Sequence, residues 1–194
     1  MMNGSIECAK QYVRDIIAGS KVQEDPGHAE NTVEWLLRLL PEADEALQMA
    51  ALSHDIERAI ETRKVRHTDY ENYDAFKWAH ACNSAKILRE ILEKCEVDKS
   101  FTDEVCRLVT YHEIGGDYRS DLLKNADSLS YFAVNLPIYY QREGWEETKQ
   151  RCIWGYQRLS VESRKMLQNM TYEQDILTRL LKEVAQEVDT ITIA

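Results

Sequence analysis

Glycine and proline are scarce, with 7 and 3 residues in a chain of 194. Hairpin turns draw on both, so the chain has little from which to build an antiparallel sheet, and helices are expected instead. Long apolar runs are missing as well: nothing approaches the roughly 18 consecutive apolar residues of a membrane span. The start, MMNGSIECAKQYVRDII, has no basic segment followed by an apolar run and does not read as a signal peptide. Basic charge is in deficit. The net charge is −10, whereas a general nucleic-acid binder is more often basic, because phosphate neutralisation drives such binding. Cys8, Cys82, Cys95, Cys106 and Cys152 are odd in number and form no CxxC pair. They read as reduced thiols of a cytoplasmic protein, serving mainly as small buried hydrophobes.

What is present is a globular composition, 44% apolar and 30% charged, in a chain of single-domain length. Apolar residues recur three and four positions apart nearly throughout. Ile6, Ala9, Val13, Ile16 and Ile17 outline a first amphipathic helix that ends at Gly19-Ser20. Asp25-Pro26 opens a second, with Asp25 as cap and Pro26 in the first turn. Pro41 begins a third, ending near His54-Asp55. Glu61 to Lys77 is polar and aromatic, a candidate lid or substrate loop. Further helices carry His80, then run from a cap at Ser100 to Tyr111-His112, then from Ser120 past Asp127 to a kink or stop at Pro137. Thr171 with Gln174 has the spacing of a capping box. The expected fold is all-α: a helical core over residues 1–140 and a C-terminal helical extension, 141–194, packed on the same core.

Histidine is rare too, at five residues, and four of them fall in an ordered series with two aspartates: His28, His54-Asp55, His80, His112, Asp127. Imidazole and carboxylate together suit divalent first-row metals and magnesium. A helical bundle can project ligands from several helices into one interior site. His54 and Asp55 diverge by about 100 degrees if both are helical, so they can serve one centre only near a helix end.

The segments GHAENTVEWL, ALSHDIERA, WAHACNSAKIL, LVTYHEIGG and LLKNADSLSYF, spanning about residues 25–135, resemble the HD-domain superfamily of metal-dependent phosphohydrolases. The resemblance implies a minimal metal site of His28, His54, Asp55 and Asp127. It implies a second metal where His80 and His112 are also present, with Asp55 bridging. The order is similar to that of the dinucleoside tetraphosphate hydrolase branch, and it lacks the adjacent His-His and GYP motifs of the cyclic di-GMP phosphodiesterases. It departs at Arg58, where the relatives often carry lysine, and at Glu57, where they carry a small residue.

The implied function is hydrolysis of a nucleotide or related small phosphoester by a metal-activated water, with one or two ions of Mn, Fe, Co, Mg or Zn as cofactor. Asp55 is the central carboxylate. Arg58 is expected to fork onto a phosphate, and Lys124, one turn before Asp127, to meet it as a point charge. Glu57 is expected either to orient a water on the metal or to pair with Arg58 or Arg63. Lys77 and Trp78, just before His80, form a candidate cation-and-aromatic pair, although tryptophan at that spacing more often faces a core. Trp145 and Trp154 are expected to pack. The partner expected is a small phosphoester, with neither nucleic acid nor membrane, and a homodimer is left open. Two other readings fit the residues: an HD-fold di-iron oxygenase acting on a small polar substrate, and a non-catalytic, metal-stabilised binding module.

Overall fold

The computed structural model describes residues 2–193. Helices are the regular structure of the described residues, with no strand among them. They are α1 (Met2–Ala18), α2 (Asp25–Leu39), α3 (Glu45–Ser53), α4 (Tyr73–Lys94), α5 (Lys99–Tyr111), α6 (Tyr118–Ser130), α7 (Leu136–Arg158), α8 (Val161–Gln168) and α9 (Asp175–Ile193). Short 3-10 turns cover Ile56–Ala59 and His67–Asp69, and a π-helical turn, Tyr131–Asn135, joins α6 to α7. No described helix is long and apolar enough to cross a membrane.

Helix starts are set by aspartate more than the sequence suggests. Asp44 caps α3 by accepting from Leu47 N at 3.0 Å, so Pro41 stays in the preceding loop. Asp98, not Ser100, caps α5, and Asp117, not Ser120, caps α6. Asp25 lies inside α2 and its carboxylate does not cap it; it accepts from the Ser20 hydroxyl at 2.6 Å. α9 starts at Asp175, past the Thr171–Gln174 pair. Pro137 sits in the first turn of α7 and tolerates the passage from the π turn. α7 bends at Gly144, whose φ of 78° is open to glycine at little cost.

The core is shared by all the longer helices. Leu36 from α2, Leu47 and Met49 from α3, Leu88 and Leu92 from α4, Leu108 from α5, and Leu123 and Leu129 from α6 are buried together. Full burial of each is worth about 1.5–3 kcal/mol in transfer free energy. α2 packs on α6 and α3, α4 on α5, and α7 on α9 and the π turn. All five cysteines are free; Cys95, Cys106 and Cys152 are buried, Cys82 is partly so and Cys8 is exposed. Burial pushes the thiols of Cys95 and Cys106 up to about 11 and that of Cys152 up to about 12. Within this frame α2, the end of α3, α4, the end of α5 and α6 enclose a polar interior.

Candidate metal centre

His28, His54, His80, His112, Asp55 and Asp127 meet in that interior. Each of the four histidines is 2% exposed or less. Three carriers are helix bodies, with His28 on α2, His80 on α4 and Asp127 on α6. The other three residues sit where helices end. α3 stops at Ser53, His54 follows as its C-cap, and Asp55 turns out of helical conformation at φ −102°, ψ 13°. That break lets neighbouring side chains converge. His112 stands in the same C-cap position on α5.

Every one of the four rings has an oxygen at Nδ1. His54 Nδ1–H donates to Ala51 O at 2.8 Å and His112 Nδ1–H to Val109 O at 2.7 Å. His80 Nδ1 is 2.7 Å from Glu57 Oε1, and His28 Nδ1 is 3.0 Å from Ser130 Oγ, whose own proton goes to His28 O at 3.1 Å. With Nδ1 donating, each neutral ring presents an Nε2 lone pair inward. The lone pairs face one another and carboxylate oxygens. His28 Nε2 lies 3.1 Å from His54 Nε2 and 3.2 Å from Asp127 Oδ1, and His54 Nε2 lies 3.5 Å from Asp127 Oδ1. Ligand atoms sharing one metal at about 2.1 Å, at tetrahedral or octahedral angles, stand ~3.0–3.4 Å apart, so this trio fits a single ion.

Asp55 joins that trio to a second group. Its Oδ2 is 3.8 Å from His28 Nε2, and its Oδ1 is 2.7, 3.7 and 4.0 Å from the Nε2 atoms of His80, His54 and His112. His112 Nε2 is buried without a hydrogen-bond partner, although Glu113 Oε1 is 3.2 Å away. Three overlapping donor sets are thus able to hold a metal: His28-His54-Asp127, His54-Asp55-His112 and His80-His112-Glu113. Acceptors crowded around acceptors make a cation the natural occupant.

Protons compete for the same positions. Burial opposes charge on His54, but Asp55 and Asp127 outweigh it and push the imidazole up to about 9. His80 is raised in the same way, burial being overcome by Asp55 and by the bond to Glu57. Burial prevails at His112 and lowers it. Asp55, Asp127 and Glu113 are held well below the usual carboxylate range despite burial, by His54 and Arg58, by His28 and His54, and by Arg158 and Lys77 respectively.

Around the cluster, Arg58 bridges Asp55 Oδ2 and Asp25 Oδ1 at 2.8 Å each. Glu57 is 1% exposed and forms no pair with Arg58 or Arg63: it holds His80 through one oxygen and Val65 N, at 2.8 Å, through the other. It therefore pins the 61–72 loop to the centre. Lys124 is not brought in. Its ammonium bonds Asp121 at 2.9 Å and Ile114 O at 3.2 Å. Trp78 stacks on Tyr111 at the surface, 39% exposed. His67 is exposed, against Tyr73 and Phe76.

Two groups had no signal in the histidine series. Glu113 is ion-paired with Lys77 and, at 2.8 Å, with Arg158; its adjacency to His112 was the available cue. Arg158, from α7, also reaches Asp127 Oδ2 at 3.4 Å.

The cluster opens on a cavity of about 260 Å³ that His80, Glu57 and Arg58 border. Arg58, Lys64, Lys77, Arg142 and Arg151 line it against Glu24 and Glu57, so a chain of net negative charge presents a locally cationic hollow. A larger hollow of about 470 Å³, beside α8 and α9, touches none of these residues. Low-dielectric walls of one sign concentrate a ligand of the other, so the arrangement suits a small anion placed beside the candidate metal ligands.

No curated protein and no solved structure matches the chain. The family model described as "Domain of unknown function (DUF4202)" matches residues 10–180, and the chain belongs to that family.

Proposed function

We propose that this protein is a metal-dependent phosphohydrolase of the HD-domain type, acting on a nucleotide or related small phosphoester. The observation that carries the reading is the set of inward Nε2 lone pairs around Asp55, opening through His80 and Arg58 onto a cationic cavity. When bound, divalent ions supply an acidified water as nucleophile and polarise the phosphoryl group. His28, His54 and Asp127 would hold one ion, and His80 and His112 a second, with Asp55 between them.

The chain's own residues supply the rest. Glu57 fixes the His80 ring. Arg58 keeps Asp55 ionised and turned inward, and it borders the cavity with donors suited to phosphoryl oxygens. Lys77 and Arg151 add positive charge to the same cavity. The volume, below the ~300–1,000 Å³ of drug-sized pockets, favours one phosphorylated unit over a two-nucleoside substrate. The test is phosphate release from a panel of nucleotides and sugar phosphates by EDTA-treated protein reloaded with Mn²⁺, Co²⁺, Zn²⁺ or Mg²⁺. At least one ester should turn over, and Asp55→Ala, shown folded by circular dichroism, should abolish it. Silence with every metal, or O₂ uptake by the iron-loaded protein in place of phosphate release, would overturn the reading.

A further inference from the structure

The cavity has a wall that the metal ligands do not use. Arg151 projects there from α7, its guanidinium held between two rings, 4.4 Å from the centroid of Tyr131 and 4.5 Å from that of Trp154. Every other cation on the cavity has a carboxylate: Arg58 has Asp55, Lys64 has Glu61, Lys77 has Glu113 and Arg142 has Glu24. Among the described residues Arg151 makes no ion pair and no hydrogen bond. Its five N–H donors are left for another acceptor. Asp127 and Glu113 favour its charge only from beyond contact distance, and the stacking rings offset part of the cost of burial.

The complementary deficiency lies on the same cavity. Glu24 Oε2 and Asn135 Oδ1 are acceptors with no donor, on side chains 3% and 4% exposed. Arg142 occupies the other Glu24 oxygen at 3.1 Å. Asn135 and Tyr131 stand at the two ends of the π turn, a distortion common at functional sites because it re-aims side chains. An unsatisfied cation and two unsatisfied acceptors together describe a ligand with an anionic group and O–H or N–H donors.

We propose that this wall is a recognition site for a hydroxylated small molecule, in which Arg151 anchors an anionic group of that molecule. Glu24 and Asn135 accept hydrogen bonds from its hydroxyls. The assignment rests on reading the metal centre as the place where that molecule reacts. It makes Arg151, Glu24 and Asn135 determinants of specificity contributed by helix ends and by α7.

The test measures binding alone, by calorimetry on the full chain in EDTA, with ribose phosphate, orthophosphate and ribose as probes. Ribose phosphate should bind more tightly than either of the others. Arg151→Gln should weaken it roughly tenfold or more, the loss of a charge-assisted pair. Glu24→Ala should remove the preference for ribose phosphate over orthophosphate. Arg151→Gln binding within about twofold of the unaltered chain, or no preference for ribose phosphate in the unaltered chain, overturns the proposal. If the Arg151 variant does not fold, phenylglyoxal modification of the unaltered protein decides: ribose phosphate should protect Arg151, and absence of protection counts against the site. A chain that binds as expected yet hydrolyses nothing sinks the hydrolase reading and leaves the site standing. A working hydrolase indifferent to Arg151→Gln does the reverse.

Discussion

Raising the pH from 7 to 8.5 should destabilise the metal-free protein, and His54 sets the size of the effect. Its folded pKa of about 9 lies above the ordinary value of 6.5. A group raised on folding contributes stability that is complete below the unfolded pKa and disappears as pH rises through the folded one. Linkage with these two values gives about 2.6 kcal/mol at pH 7 and about 0.8 at pH 8.5, a loss of about 2 kcal/mol. His54 is fully buried, so solvent screening takes little from this figure. His80 is raised and adds in the same direction. His112 is lowered by burial; its contribution has the opposite sign but develops below about pH 6.5, outside the window. The raised thiols of Cys95, Cys106 and Cys152 begin to matter only as unfolded thiols ionise near pH 8.5, which sets the upper limit. For a chain of this size the loss corresponds to a fall of roughly 4–8 °C in Tm. Calorimetry in EDTA at the two pH values measures it, and His54→Gln should flatten the slope. With Mn²⁺ present the trend in affinity runs the other way, because metal displaces the proton and binds more tightly as pH rises. A metal-free Tm that holds level or increases between pH 7 and 8.5 would refute the reasoning.

Three substitutions probe other parts of the argument. Glu57→Gln removes the charge that fixes His80 and should weaken Mn²⁺ or Zn²⁺ binding about 10–100-fold in chelator competition, with a lower melting temperature in EDTA as well, because an amide can accept from only one of His80 and Val65 N; equal affinity would remove Glu57 from the metal's surroundings. Gly115→Ala forces a side chain onto φ +76° and sets its Cβ 2.0 Å from Asp121 Oδ1 and 2.6 Å from Lys124 Nζ, so urea unfolding should show a loss of about 1–3 kcal/mol. Leu36→Ala, at a side chain with no exposure, should lower the urea midpoint by an amount equivalent to about 2–5 kcal/mol at unchanged slope.

The convergence of the four histidines and two aspartates was legible because histidine is rare and each member sits among apolar residues at helical spacing. What escaped the sequence came from longer range or from local competition. Arg151 and Arg158 lie in a segment with no histidine, and only the return of α7 across the π turn brings them to the centre and its cavity. Lys124 shares a face with Asp127 by spacing, yet its flexible stem carries the ammonium back to Ile114 O. The helix starts were misplaced where two capping residues lie close together. In Asp98/Ser100 and Asp117/Ser120 the carboxylate takes the cap, since its charge also answers the positive end of the helix dipole. Glu57 was legible as a residue near the ligands but not as the partner of His80, 23 positions away.

The placement of His54 and His112 shows how helix ends build this centre. The last four carbonyls of a helix have no partner within it. At the ends of α3 and α5 one of them, Ala51 O or Val109 O, accepts from the Nδ1–H of the histidine three residues on. One bond then does two things: it satisfies a terminal carbonyl and fixes the tautomer that leaves Nε2 facing inward. His28 and His80, in helix bodies, lack such a carbonyl and borrow Ser130 and Glu57 instead. The centre therefore depends on where α3 and α5 stop as much as on which residues they carry. Extending α3 through Asp55 would return Ala51 O to the helical ladder and free the His54 ring. It would also hold Asp55 about 100 degrees round the helix from His54, drawing away the carboxylate that joins the two groups of histidines.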